Sequence, residues 1–233
     1  MAAEKNTGKK TASKPRKRRK PSAKVAERAS IVMERMAEHY PSSGGYLTSE
    51  NPFQLVIAVL LSAQTTDKAV NSVTPELFRR WPTPEALAAA DELEIQEVIH
   101  PLGFYKTKAK RCIECAATLL TEFGGEVPRT IDELIKLPGV GRKTANVVLN
   151  DAFGIAEGVA VDTHVGRIAR KLGFSRNTDP SKVEQDILWI FPESEWTHIN
   201  HRWIAFGREV CDARKPKCSE CWLSDVCPSC KVR

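Results

Sequence analysis

The sequence predicts an all-α protein, and three observations carry that expectation. Apolar residues recur at steps of three and four, sustained period-two alternation is absent, and helix-start signals repeat along the chain. About ten short helices are expected past residue 24. Val25, Ala29, Val32, Met33 and Met36 form the apolar stripe of the first. Asn51-Pro52 then pairs an N-cap with a proline in the first turn, where a missing N–H does no harm, and leads into FQLVIAVLLSAQ. Thr83-Pro84-Glu85 and Asp179-Pro180 repeat that signal. Asp91, Thr130 and Asp162 are placed to cap further helices. Gly124-Gly125 is placed to end one, because glycine adopts the left-handed conformation that closes a helix. Short connections and frequent caps imply a compact bundle, and no internal period marks a repeat array. A cysteine-rich C-terminal segment of different character implies a second lobe.

With 233 residues, 42% of them hydrophobic, the chain can bury a core as one large or two small domains. Its longest strongly apolar run, Phe53 to Leu61, is too short to span a bilayer. The N-terminus is basic with no apolar stretch behind it, so no signal peptide is read there. The net charge of +6 is unevenly spread. Residues 1–24 hold ten Lys or Arg against the single acid Glu4, a net of +9. The remainder has 25 basic and 28 acidic residues, a net of −3. Any polyanion surface on the folded part must therefore be a local patch. The first segment, with KPRKRRKP from Lys14 to Pro21, has the composition of a disordered basic arm suited to phosphate contact. A nuclear signal has the same composition.

The chemistry concentrates in LPGVGRKTANVVLN, Leu137 to Asn150. Pro138, Gly139 and Gly141 predict a tight turn opening into a helix at Arg142–Lys143. Such a turn exposes backbone N–H groups at the positive end of a helix, a natural seat for a phosphate. Lys143 lies in the same turn, so phosphate-gripping backbone and an amine nucleophile would stand side by side. A plain helix–turn–helix with a solvated lysine is the simpler alternative. Asp162 follows nineteen residues later; before THVGRIARKL it also reads as an ordinary N-cap.

Cys211, Cys218, Cys221 and Cys227 are spaced C-x6-C-x2-C-x5-C, and Cys230 adds a further C-x2-C. Five cysteines within twenty residues, without a secretion signal, point to a metal rather than disulfides. Thiolates this close in sequence favour an iron–sulfur cubane, with zinc on CxxC-x5-CxxC as the rival. Cys112 and Cys115 read as small buried hydrophobes one helical turn apart. Arg214, Lys215 and Lys217, between the first two ligands, form a candidate phosphate-contacting finger.

LPGVGRKTAN, VDTHVGR (Val161 to Arg167), LLSAQTTD (Leu60 to Asp67) and the cysteine spacing, in this order, resemble endonuclease III of the helix-hairpin-helix superfamily over residues 25 to 227. The resemblance implies two helical lobes flanking a DNA-binding cleft. Residues 45–155 would form a six-helix barrel with the hairpin; 25–44 and 156–233 would form the iron–sulfur cluster lobe. It further implies a bifunctional glycosylase and abasic-site lyase acting on oxidised or ring-damaged pyrimidines in duplex DNA. Lys143 and Asp162 would be the catalytic pair, meeting across the cleft. Gln64 would probe the orphaned partner base and Phe104, in GFYKTK, would fill the gap left by the extruded one, although Phe104 also reads as a core aromatic. Gly139, Val140, Gly141, Arg142 and Thr144 would meet the DNA at the hairpin, which would also hold a monovalent cation. Cys211, Cys218, Cys221 and Cys227 would ligate a [4Fe–4S] cluster, leaving Cys230 aside. A monomer in a bacterial cytoplasm is expected.

Covalent removal of a base needs a nucleophile that forms an imine at the sugar C1′, which an amine does and water does not. The amine must shed its proton to attack; a helix N-terminus and a water-poor cleft both work against the ammonium form. Asp162 would stay anionic and stabilise charge developing on the sugar, or take the amine's proton. Two rivals are weaker. An adenine-removing mismatch glycosylase would lack the hairpin lysine and extend further, whereas this chain has Lys143 and stops six residues after Cys227. A non-catalytic helix-hairpin-helix module with a structural metal has no need of the Lys143–Asp162 pair.

Overall fold

The structure is a computed structural model that describes residues 21–41 and 44–230. Among these residues the regular structure is eleven α-helices and one 3-10 turn, Cys218–Glu220, with no strand. The helices are α1 (Ala23–His39), α2 (Pro52–Leu61), α3 (Asp67–Arg80), α4 (Pro84–Ala88), α5 (Glu92–Ile99), α6 (Tyr105–Phe123), α7 (Ile131–Leu134), α8 (Arg142–Phe153), α9 (Thr163–Lys171), α10 (Pro180–Ile190) and α11 (Glu193–Glu209). The basic arm expected over 1–24 lies outside the described residues up to 20, and α1 takes up its last two positions.

Local chemistry sets most helix starts. Asn51, Thr83, Asp91, Thr130, Asp162 and Asp179 each accept a first-turn N–H, filling donors that the helix itself leaves unpaired. Thr66, not singled out from the sequence, does the same for α3. Gly124 ends α6 at φ 63°. Proline at the start of α2, α4 and α10 sits where no hydrogen bond is lost.

Two hydrophobic cores organise these helices. The first runs from Phe53 to Leu149 and is built on α2, buried on every face from Phe53 to Leu61. This explains an apolar run without amphipathic spacing: α2 is the central helix of its core. Gln54, the one polar side chain inside that run, is satisfied by the Glu50 N–H at 2.9 Å. Burying each Leu, Ile or Val here contributes about 1.5–3 kcal/mol. α8 packs on α2 and α7, while α6 packs on α2, α4 and α5. Residues 45–155 carry seven of the helices, α2 to α8, of which α4 and α7 are single turns of five and four residues.

The second core joins α1, whose buried stripe is Ala29, Val32 and Met36, to α9, α10 and α11. Phe174, Phe191 and Trp203 stack edge-on or face-on within it, with centroids 4.9 to 6.0 Å apart. Leu223 and Trp222 anchor the cysteine segment onto it, Trp222 lying flat on His39 at 4.2 Å. The chain crosses from one core to the other at the buried run Val159–Val161.

Candidate active site

Between the two cores lies a cleft of about 1110 Å³. α8 sends Lys143, Thr144 and Asp151 into its lining, the start of α9 sends Asp162 and His164, and α11 sends His201 and Arg208. Gln64, from the turn after α2, completes one wall.

The hairpin explains how Lys143 gets there. After α7 the chain turns through Leu137–Gly141, closed by the Val140 N–H on the Leu137 carbonyl at 3.0 Å. Gly139 sits at φ 85°, and a Cβ there would lie 3.2 Å from Arg111 and Leu60 side-chain carbons, so only glycine fits. Gly141 is the N-cap of α8, contributes no side-chain cap, and faces open space. The first-turn N–H groups of α8 are therefore available to an incoming anion. Lys143, the second residue of that turn, is exposed; Thr144 beside it is half-buried, while the Val140 side chain is buried, leaving its backbone to meet a ligand.

Arg142 behaves differently from a free phosphate ligand. Its guanidinium donates twice to Glu184 of α10, at 2.8 and 3.1 Å. Glu184 is 5% exposed and also accepts from Asn146 at 3.0 Å and from the Val159 N–H at 3.3 Å. Gly158 makes room for this carboxylate, since a Cβ there would stand 2.2 Å from Glu184 Oε1.

Asp162 unites its two readings. It is the N-cap of α9, with Oδ1 accepting the Val165 N–H at 2.8 Å, and it lines the cleft. His164 follows it; burial pushes this imidazole below the ordinary histidine range, Asp162 opposes the shift, and Arg167 reinforces it. At the floor, His201 of α11 meets Asp151 of α8 at 2.7 Å, and Arg208 of α11 meets Asp67 of α3 at 2.8 Å. Both pairs join the two cores, and Arg208 also lies over the Tyr46 ring at 4.5 Å.

Gln64 and Phe104 share one property that composition does not reveal. They are the two non-glycine residues at positive φ among those described, 54° and 59°. Each such residue costs about 1–3 kcal/mol, a strain that concentrates at functional positions. Gln64 is exposed in the cleft wall; Phe104 is 67% exposed at the start of α6, so it is no core aromatic. The structure brings Lys143, Thr144, Asp162 and Gln64 into one lining, whereas Phe104 and hairpin residues 139–142 stand outside it.

A second, smaller pocket gathers Cys211, Cys218, Cys221 and Cys227, together with Cys230, beside Lys171, Phe206 and Leu223. All are free thiols of intermediate burial. Burial raises the Cys211, Cys221 and Cys227 thiols above the ordinary range, with Arg167 and Lys171 opposing this at Cys211. Among the described residues, no three His, Cys, Asp or Glu side chains converge tightly enough for one metal ion. Arg167 clamps the segment by donating to the Cys211 and Gly207 carbonyls. Arg35 does so from α1, through the Trp222 carbonyl and Asp225. Cys112 and Cys115 are fully buried in the first core. Among the described residues, no helix is long and apolar enough to cross a membrane.

An all-helical fold, with a bare helix N-terminus beside a lysine and an aspartate in the same cleft lining, agrees with the helix-hairpin-helix class of DNA repair protein. Residues 57–193 match the family model of the HhH-GPD superfamily base excision DNA repair protein. Endonuclease III of Synechocystis sp. is 46% identical over 89% of this chain and 94% of its own. That of Bacillus subtilis is 44% identical over 84% and 90%. A trapped endonuclease III–DNA covalent intermediate superposes with a TM-score of 0.84 at 43% identity, over 88% of this chain and 97% of the other. The chain belongs to the HhH-GPD superfamily of base excision DNA repair proteins and, within it, to the endonuclease III family.

Proposed function

We propose that this chain is a base-excision DNA glycosylase and abasic-site lyase that removes oxidised or ring-damaged pyrimidines from duplex DNA. The observation that carries the reading is the shared cleft lining of Lys143, from the first core, and Asp162, from the second.

In the proposed reaction the neutral Lys143 Nζ attacks C1′ of the extruded nucleotide and the bond to the base breaks, its electron pair leaving with the base, which takes up a proton. The sugar ring opens, the nitrogen lone pair forms an iminium with C1′, and Asp162 compensates the positive charge. Loss of a C2′ proton then expels the 3′ phosphate oxygen and cuts the strand. Water hydrolyses the remaining imine and frees Lys143.

Around this step the bare N-terminus of α8 would hold a backbone phosphate through Gly139–Thr144 main-chain groups, with Arg142 fixing the helix by way of Glu184. Phe104 would fill the vacated stack and Gln64 would read the opposite base. Arg214, Lys215 and Lys217 would add phosphate contacts, Arg214 and Lys215 being exposed in a turn ordered by Asp212.

We assign a [4Fe–4S] cluster to Cys211, Cys218, Cys221 and Cys227. Four free thiols lining one pocket, brought there by the C-x6-C-x2-C-x5-C spacing, fit the thiolate set of a cubane, with zinc as the rival. When bound, the cluster supplies cross-linking that shapes the segment. The family likeness extends the proposal to a monovalent cation at the hairpin and to a monomer acting on bacterial cytoplasmic DNA.

The test is base release and strand cleavage on a panel of duplexes, each with one altered base. Release of oxidised pyrimidines followed by nicking, with undamaged DNA left intact, supports the reading. DNA binding with neither product leaves only a binding module.

A further inference from the structure

Beneath the Gln64 turn lies the only buried lysine among the described residues, Lys108, 4% exposed on the first turns of α6. Among those residues it has no carboxylate partner. Its amine donates to the Thr65 hydroxyl at 2.5 Å. Burial without a counter-charge is costly for an ammonium, and it lowers the Lys108 pKa from the ordinary lysine value. Its hydrogen bond to Thr65 is what the side chain can fix in place.

What it fixes is the strained turn. A hydroxyl has one donor and two acceptor sites. Thr65 Oγ1 accepts from Lys108 and donates to the Ala63 carbonyl at 3.3 Å. The Thr65 N–H closes on the Ser62 carbonyl at 3.0 Å. The residues on either side of Gln64 are thus tied to each other and to α6, and Gln64 is held between them at φ 54°. The other strained residue lies one helical turn before Lys108. Phe104 caps that same first turn of α6, its carbonyl accepting the Lys108 N–H at 3.0 Å in the ordinary helical bond, so the Lys108 side chain ties the turn that begins at Phe104 to Thr65.

We propose that Lys108 is a positioning residue that sets Gln64 and Phe104 in one frame, so that filling the vacated stack and reading the partner base are geometrically coupled. This rests on the proposed DNA-probing roles of Gln64 and Phe104. Lys108 touches neither Lys143 nor Asp162 in any hydrogen bond or ion pair, so the chemical step is left alone.

The variants are Lys108→Met, which keeps length without a donor, Thr65→Val, which removes only the hydroxyl, and Thr65→Ser, which restores it. They are compared with wild type on duplexes holding an oxidised thymine opposite each of the four bases. Lys108→Met and Thr65→Val should raise KM roughly ten-fold or more and flatten the preference among partner bases, since small misplacements of substrate-positioning groups are expensive. Single-turnover rates at saturating enzyme should stay within about two-fold, and Thr65→Ser should behave as wild type. The double variant should be no worse than either single one, because both break the same link. An unchanged KM and partner preference in Lys108→Met or Thr65→Val overturns the proposal, as does an equal loss of kcat on every duplex. If Lys108→Met does not fold, Thr65→Val, in a surface turn, decides. Failure of the wild-type chain to release any base would sink the glycosylase reading itself, a result distinct from normal turnover with indifferent variants.

Discussion

Arg142, the first residue of α8, is bound to Glu184 of α10 by two charge-assisted hydrogen bonds of 2.8 and 3.1 Å. The helix that presents Lys143 is thereby tied to the core that presents Asp162. The pair is asymmetric: the Glu184 side chain is 6% exposed, the Arg142 side chain 48%. Removing Arg142 strands a buried carboxylate, whereas removing Glu184 frees a guanidinium into water. Arg142→Ala should therefore cost about 3 kcal/mol of stability. Glu184→Gln should cost only about 1 kcal/mol, as its amide can donate to the otherwise unpaired Asn146 Oδ1. Chemical denaturation of the two variants checks the order; equal losses would refute it.

Phe104 should be expendable for folding and needed for lesion processing. At 67% exposure its truncation removes little packing. Phe104→Ala should leave the melting temperature within a few degrees, as surface changes do, yet slow base release about ten-fold or more. A large fall in melting temperature with normal release would return Phe104 to a structural role.

This is also where sequence and structure part. Helix starts are local: Asn51, Thr83, Asp91, Thr130, Asp162 and Asp179 cap N–H groups two or three residues away, so the chain's own order announces them. Lys143 and Asp162, expected from the resemblance to meet at the cleft, do share its lining, and the cysteines, expected from their spacing to cluster, do share one pocket. The pairs that hold the cleft are not written that way. Arg142 and Glu184 are 42 residues apart, Asp151 and His201 50, and nothing in either neighbourhood names the other. The left-handed backbone of Gln64 and Phe104 runs against each residue's own preference, so neither residue type announces it. The single turn α7 is announced by its cap Thr130 and not by periodicity, since four residues carry too little of it.

The cysteine assignment predicts about four iron atoms with matching acid-labile sulfide per chain, read by elemental and sulfide analysis. Cys221→Ser should lose the cluster and loosen the segment held by Arg35 and Arg167, while Cys230→Ser should keep it. Stoichiometric zinc without iron would overturn the assignment.

Acid should weaken the fold through two histidines. Burial holds His164 and His198 below the ordinary histidine value of 6.5, so the folded chain resists protonation where the unfolded chain accepts it. Stability is fully present above that value and is lost as pH falls from it through the folded values. Denaturant midpoints at decreasing pH should fall in the wild type and fall less in a His164→Gln, His198→Gln double variant. Parallel curves for the two proteins would rule these histidines out as the source.

The central claim is that the Lys143 nitrogen bonds covalently to deoxyribose, and borohydride measures this directly by reducing the iminium to a permanent link. With duplex DNA containing an oxidised thymine, the wild-type chain should yield an adduct whose cross-linked peptide carries the sugar on Lys143, Lys143→Ala should yield none, and Asp162→Asn should yield it slowly. An adduct formed by Lys143→Ala at wild-type yield, or mapped to another residue, would contradict the account.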